Sequence, residues 1–166
     1  MRMTTRRGQR EHRVGVISDT HGLVRPEALA ALAGSELILH AGDVGGPEVL
    51  AVLSEIAPVT AVRGNNDRGR WAEGLPERAT VRVADAVLFM LHDVKELEGG
   101  AGAGRVAAVI AGHSHRPAIR EEGGVLFLNP GSAGPRRFKL PLSVARVIVR
   151  GATVTAEIVP LVFGSP

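Results

Sequence analysis

The chain has 166 residues, enough for one domain with a real core. Apolar residues make up 45% but aromatics only 3%, with no Tyr and no Cys, so a core must come from Val, Leu, Ile and Ala, and disulfides and thiolate metal sites are excluded. The formal charge is +3, from 20 basic and 17 acidic residues, and its placement says more than its sum.

Five arginines, Arg2, Arg6, Arg7, Arg10 and Arg13, stand against Glu11 alone at the start of the chain. The rest is nearly neutral, so the body lacks the basic stripe of a dedicated nucleic-acid-binding domain. Residues 1–13 are expected to form a disordered basic tail, with His12 in solvent, and residues 14–166 a single domain. The tail contains no apolar signal core. No stretch approaches the roughly eighteen apolar residues of a membrane span. The expectation is a cytoplasmic protein with no membrane partner.

Val14–Ser18 is a short β-branched run and predicts a strand. Pro26–Ala33 predicts a helix, opened by Pro26 and stopped by Gly34. Strands over Glu36–His40 and Val59–Arg63 flank a second helix over Pro47–Ile56. This alternation indicates right-handed βαβ units and a parallel sheet. The second half is strand-rich. Ala79–Ala84 and Val87–Leu91 form a hairpin around Asp85-Ala86, and Val106–Ala111, Ile119–Glu121 and Val125–Leu128 are further strands. Leu142–Val149 and Thr153–Val159 pair across Arg150-Gly151-Ala152. Together these predict a second, partly antiparallel sheet packed on the first. Gly99–Gly104 is the one low-complexity patch and is expected to be a loop near the site.

Short polar motifs follow the apolar runs. Asp19-Thr20-His21 comes first, then Gly42-Asp43, Gly64-Asn65-Asn66-Asp67, His92, Gly112-His113-Ser114-His115, and Asn129-Pro130-Gly131-Ser132. Ligands of α/β sheets bind beyond the carboxyl ends of the strands, so these motifs are delivered to one mouth. Asp19 and His21 lie two apart, as do His113 and His115, which in extended backbone turns each pair to one side. Gly42, Gly64 and Gly112 each precede a motif residue and allow a sharp exit from the strand. Singly, these residues have plain readings. An Asp after a strand is a cap, a His near a strand end is structural, and Asn65-Asn66 is a turn. Jointly, two carboxylates, an amide oxygen and four imidazoles suffice for two divalent ions, a known device for cleaving phosphate esters.

The ordered set, closed by Gly-His-Ser-His, resembles the calcineurin-like metallophosphoesterase superfamily, and most of all its short microbial phosphodiesterase branch. The resemblance runs from about Val14 to about Val162. It implies two mixed β-sheets packed as a sandwich with helices outside (α/β/β/α). It implies one ion held by Asp19, His21 and His115, a second by Asn65, His92 and His113, and Asp43 bridging them. Asp43, Asn65 and Asn66 are the catalytic candidates. Family behaviour favours Mn²⁺ for the two divalent ions; Fe, Zn²⁺, Ni²⁺ and Co²⁺ also suit mixed N and O ligands. The implied reaction is in-line attack on a small phosphodiester or nucleotide by a hydroxide shared between the ions. Many members carry a His after the ligand Asn that assists the leaving group; this chain has Asn66, and the short branch commonly lacks that His. Asp67 and Asp93 are then the next groups to consider for the leaving-group proton. His40 suits a supporting or core role, Asn129–Ser132 resembles the family's closing turn, and Arg136 and Arg137 are phosphate contacts or solvated charges. Two alternatives stay open: a phosphomonoesterase such as a nucleotidase, and a non-catalytic metal-binding scaffold like the retromer subunit. A homo-oligomer is compatible with the chain.

Overall fold

The computed structural model describes residues 9–97, 106–137 and 139–163. Two five-stranded mixed sheets face each other. In chain order the elements are β1 (Glu11–Ile17), α1 (Pro26–Leu32), β2 (Leu37–His40), α2 (Pro47–Ser54), β3 (Val59–Ala61), α3 (Arg70–Glu73), β4 (Arg78–Val83), β5 (Ala86–Leu91), a 3₁₀ turn (Val94–Glu96), β6 (Ala108–Ile110), β7 (Ala118–Glu122), β8 (Val125–Asn129), β9 (Ser143–Arg150) and β10 (Thr153–Pro160). The first sheet has the order β10-β9-β1-β2-β3, and the second β4-β5-β6-β8-β7. Within them β1, β2 and β3 run parallel, as do β5, β6 and β8.

Strand alternation builds the layers. Val14, Val16 and Leu39 of the first sheet, with Val147 and Val149, meet Leu88, Met90, Ile110, Leu126 and Leu128 of the second in one buried core. The intervening residues point outward. Ile17, Ile38 and Val144 pack under α1 and α2 through Ala28, Leu32, Val49 and Leu53. Each fully buried Leu, Ile or Val contributes about 1.5–3 kcal/mol, which lets an aromatic-poor chain hold a sandwich together. The outer face of the second sheet is a smaller apolar cluster of Leu91, Val109 and Ala111 with Phe89 and Phe127 beside it. The α-helices seen among the described residues lie elsewhere.

Three expectations shift. The strand at the start begins at Glu11, not Val14, because Glu11, His12 and Arg13 pair with Arg150, Val149 and Ile148 of β9. His12 is therefore not a free tail residue; its Nδ1 lies 3.0 Å from Glu36 Oε2. The expected disordered stretch before it and the Gly99–Gly104 patch fall largely or wholly outside the described residues. The β9–β10 hairpin belongs to the first sheet, not the second, because β9 pairs antiparallel with β1. No helix is long and apolar enough to cross a membrane among the described residues.

Candidate metal centre

The parallel strands bring their carboxyl ends together. Asp19 follows β1, Asp43 follows β2, Asn65 follows the β3 segment, His92 follows β5, and His113 and His115 follow β6. All seven expected ligands meet there. His115 Nε2 lies 3.3 Å from Asp19 Oδ1, His92 Nε2 lies 3.3 Å from Asp43 Oδ2, and His21 Nε2 lies 3.7 Å from the same Asp43 oxygen. The His92 and His113 rings meet edge to face at 5.2 Å, and His113 Nδ1 is 3.2 Å from Asn65 Oδ1. The outer pair, Asn65 and His113, is exposed, whereas Asp19, Asp43, His92 and His115 are buried.

Asp19, His21 and His115 offer ligand atoms to one point, and Asp19, Asp43 and His92 to another. Both carboxylates reach histidines of both expected groups: Asp19 Oδ1 also comes within 3.8 Å of His92 Nε2. The decisive feature is what these atoms lack. Asp19 Oδ1, His21 Nε2 and His92 Nε2 are buried and make no hydrogen bond. Buried polar atoms left unpaired are costly, and here they belong to two groups of imidazole and carboxylate atoms that share Asp19. A divalent cation fits that donor set.

Supporting bonds aim each ligand. His92 Nδ1 is 2.7 Å from the Ala41 carbonyl, which directs Nε2 into the site. Ser18 Oγ donates to Asp19 Oδ2 at 2.7 Å, and the His113 N–H donates to the same oxygen at 3.0 Å. Asp19 Oδ1 is thereby the free one. Burial would raise the Asp19 carboxyl, but His115, His92 and Ser18 outweigh it and hold it below the usual carboxylate range. Burial likewise opposes Asp43, yet His92 and the Asn66 donors hold that carboxyl well below its usual value. Burial would lower His92, but Asp43, Asp19 and the Ala41 carbonyl push it up to about 9. A metal binding through Nε2 must displace the proton that this environment favours.

The backbone at the Asp19 and His21 pair and at the His113 and His115 pair is not the extended one that their spacing predicts. Asp19, His21, Asp43, His113 and His115 are not extended but left-handed, with φ of 55°, 47°, 54°, 69° and 62°. Outside these five the only other such non-glycine residue, among the described residues, is Ala84 in the β4–β5 turn. Left-handed backbone costs an ordinary side chain about 1–2 kcal/mol, and such outliers gather where function over-determines them. The glycines do more than turn the chain. A Cβ on Gly64 would stand 2.1 Å from Asp43 N, and one on Gly112 would stand 2.0 Å from Ser18 Oγ. These glycines let neighbouring ligand loops touch.

Asn66, expected near the leaving group, is committed to Asp43. Its backbone N–H donates to Oδ1 at 2.9 Å and its side-chain amide to Oδ2 at 3.0 Å. Asp67 is not a spare acid. It is buried, and accepts the N–H groups of Val44 (3.2 Å), Gly45 (3.0 Å) and Gly64 (2.8 Å), tying the Asp43 loop to the Asn65 loop. The sequence signal for it is its place two residues after Asn65, but that signal suggests chemistry rather than a clamp. Asp93 accepts the Lys95 N–H at 3.0 Å and lies 3.7 Å from His113 Nε2. The closing turn is a buttress: Ser132 Oγ donates to the Asp19 carbonyl at 3.0 Å, and Asn129 Nδ2 to the Gly112 carbonyl at 2.9 Å. Arg136 and Arg137 are exposed, and the Arg137 charge reaches His21.

His40 is wholly buried beneath the site. Its Nδ1 accepts the Gly42 N–H at 3.1 Å, so Nε2 carries the proton and donates to Thr20 Oγ at 2.9 Å, while Thr20 donates to the Val44 carbonyl at 2.7 Å. Burial pushes the imidazole down to about 4. Between about pH 4 and 6.5 the unfolded chain then binds more protons than the folded one, so stability rises with pH across that window. Acidification from pH 6.5 to 4 should cost up to about 3 kcal/mol through this residue. H40Q should be less stable near pH 7 but lose less on acidification; urea unfolding in EDTA at pH 4.5 and 7 measures the difference.

A family model described as the calcineurin-like phosphoesterase superfamily domain matches residues 13–151. The chain belongs to that superfamily. A probable metallophosphoesterase of the archaeon Methanothermobacter thermautotrophicus is 37% identical over 163 residues, covering 88% of this chain and 91% of the relative. Among solved structures, an archaeal phosphodiesterase aligns with a TM-score of 0.73 at 23% identity, over 89% of this chain and 99% of that one. Vacuolar protein sorting 29 of Cryptosporidium parvum aligns with a TM-score of 0.71 at 19% identity, over 90% and 97%. Identities this low establish the shared fold alone. As a calcineurin-like phosphoesterase, the chain is a phosphoester hydrolase by family, and its candidate metal ligands are those assembled above.

Proposed function

We propose that the protein is a metal-dependent phosphodiesterase with a dinuclear centre. The observation that carries this reading is that the buried Asp19 Oδ1, His21 Nε2 and His92 Nε2 are unpaired and stand in two ligand groups that share Asp19. Asp19, His21 and His115 would hold one divalent ion, Asn65, His92 and His113 the other, with Asp43 between them. Mn²⁺ is the ion favoured. Bound ions of this kind activate water as a nucleophile and draw charge from the phosphoryl oxygens.

The chain's own residues set the limits of the reaction. Asn66 keeps Asp43 in place through both carboxylate oxygens, and a neutral amide cannot transfer a proton near pH 7. Asp67 is consumed by three backbone amides. The leaving oxygen therefore departs largely on its own basicity, without the roughly 10²–10⁴-fold help a general acid gives. Protein stripped with EDTA should regain hydrolysis of bis-p-nitrophenyl phosphate on adding Mn²⁺. Across substituted phenyl and alkyl phosphodiesters, kcat/KM should fall steeply as leaving-group pKa rises. A flat series, with chemistry rate-limiting, would mean that another group supplies the proton, Asp93 first. Metal uptake without turnover of any ester would favour the scaffold reading instead.

A further inference from the structure

A cavity of about 350 Å³ opens beside the outer half of the centre. Asn65, His92 and His113 form one side of it. Its other walls carry Arg63, Glu77, Asp93 and Glu96. Arg63 is already matched, since its guanidinium lies 2.9 Å from Glu77. Asp93, 3.7 Å from His113 Nε2, and the exposed Glu96 are the carboxylates of the wall without an Arg or Lys side-chain partner among the described contacts, and they stand opposite His92, His113 and the ion these would hold. Asp93 is only 24% exposed at its side chain, so water screens it incompletely. Arg78 donates to the Glu96 backbone carbonyl and not, among the described contacts, to its carboxylate. His92, an expected ligand only 6% exposed, lines the same cavity and ties it to the reacting end. Basic charge stands on the His21 side instead, where Arg137 acts. The mouth thus has sides of unlike charge.

We propose that the cavity walled by Arg63, Glu77, Asp93 and Glu96 is a selectivity subsite that admits a cationic ester group of the phosphodiester and disfavours an anionic one. The inference rests on the phosphodiesterase reading. A phosphodiester held at the centre has two ester groups, and one of them must face this cavity or the basic side. An ammonium-bearing group gains from Asp93 and Glu96, whereas a carboxylate is repelled by both. Glu77 is held in check by Arg63, so Arg63 sets how strong the preference is.

The test uses p-nitrophenyl phosphodiesters whose second ester group is 2-(trimethylammonio)ethyl, 2-carboxyethyl or the uncharged, similarly bulky 3,3-dimethylbutyl. In the Mn²⁺-loaded full chain at low salt, kcat/KM should favour the cationic over the carboxylate ester by about tenfold or more, with the neutral ester between. The preference should shrink as ionic strength rises. E96Q should narrow the ratio, and R63Q, by releasing Glu77, should widen it. A loss of packing alone would not move the two variants in opposite directions. A wild-type ratio within about twofold of unity, or a ratio that neither variant changes, overturns the proposal while bis-p-nitrophenyl phosphate turnover keeps the phosphodiesterase reading intact. Absence of turnover on bis-p-nitrophenyl phosphate overturns both.

Discussion

Asp43→Asn should lose metal at both halves of the centre, whereas His21→Ala should weaken mainly one. Asp43 Oδ2 lies within 3.3 Å of His92 Nε2 and 3.7 Å of His21 Nε2, so one carboxylate stands within reach of both expected groups of ligands. Asparagine keeps the size and removes the charge. Removing even an outer partner of a metal ligand costs about 10–100-fold in affinity, and losing a shared ligand should exceed that. Turnover of bis-p-nitrophenyl phosphate should fall by about a thousandfold or more. Metal content by mass spectrometry checks this directly. Two tightly bound ions in purified Asp43→Asn protein would contradict the bridging role.

Asp67→Ala should be the most destabilising single change in the site. It leaves the N–H groups of Val44 and Gly64 without their acceptor in a buried place, and that of Gly45 without one nearer the surface. Each unpaired buried donor costs about 1–3 kcal/mol, and entering water recovers part of that, so a loss of about 3–5 kcal/mol is expected in metal-free protein. Asp67→Asn retains one acceptor oxygen and should lose less. Metal affinity should drop alongside, because Val44 adjoins Asp43 and Gly64 adjoins Asn65. Urea unfolding in EDTA, paired with metal titration, measures both. Stability within about 1 kcal/mol of wild type, with unchanged affinity, would show that the loops hold their shape without the clamp.

Much of this was legible because each candidate ligand follows an apolar β-branched run. Val14–Ser18 before Asp19 and Val87–Leu91 before His92 are cases in which strand and ligand announce each other. The partner of the β9–β10 hairpin was not legible. Alternating hairpins look alike in sequence, and β9 pairs with β1, more than a hundred residues away along the chain. The helix Arg70–Glu73 is one turn between Gly69 and Gly74, too short to leave a periodic pattern. The geometry of the ligands was hidden for another reason. Asp and His enter left-handed backbone more readily than most side chains but mostly sit elsewhere, so their presence does not announce it; here it is set by loops that exchange bonds such as Asp19 N–H to the Gly42 carbonyl and His21 N–H to the Asp43 carbonyl. Asn66 and Asp67 misled in the same way. Their place just after Asn65 suggests a role at the leaving group, but their bonds lock Asp43 and the two loops around it.

The left-handed residues have a consequence for descent. Glycine would occupy the backbone of Asp19, His21, Asp43, His113 or His115 with less strain, so backbone strain by itself favours losing these side chains. The hydrogen bonds that Asp19 and Asp43 accept, and selection for what the side chains hold, oppose that drift. A lineage of this fold released from hydrolysis should erode first at these five positions, toward Gly and Asn, while the strands beneath them stay put. The turn would outlive the residue that required it.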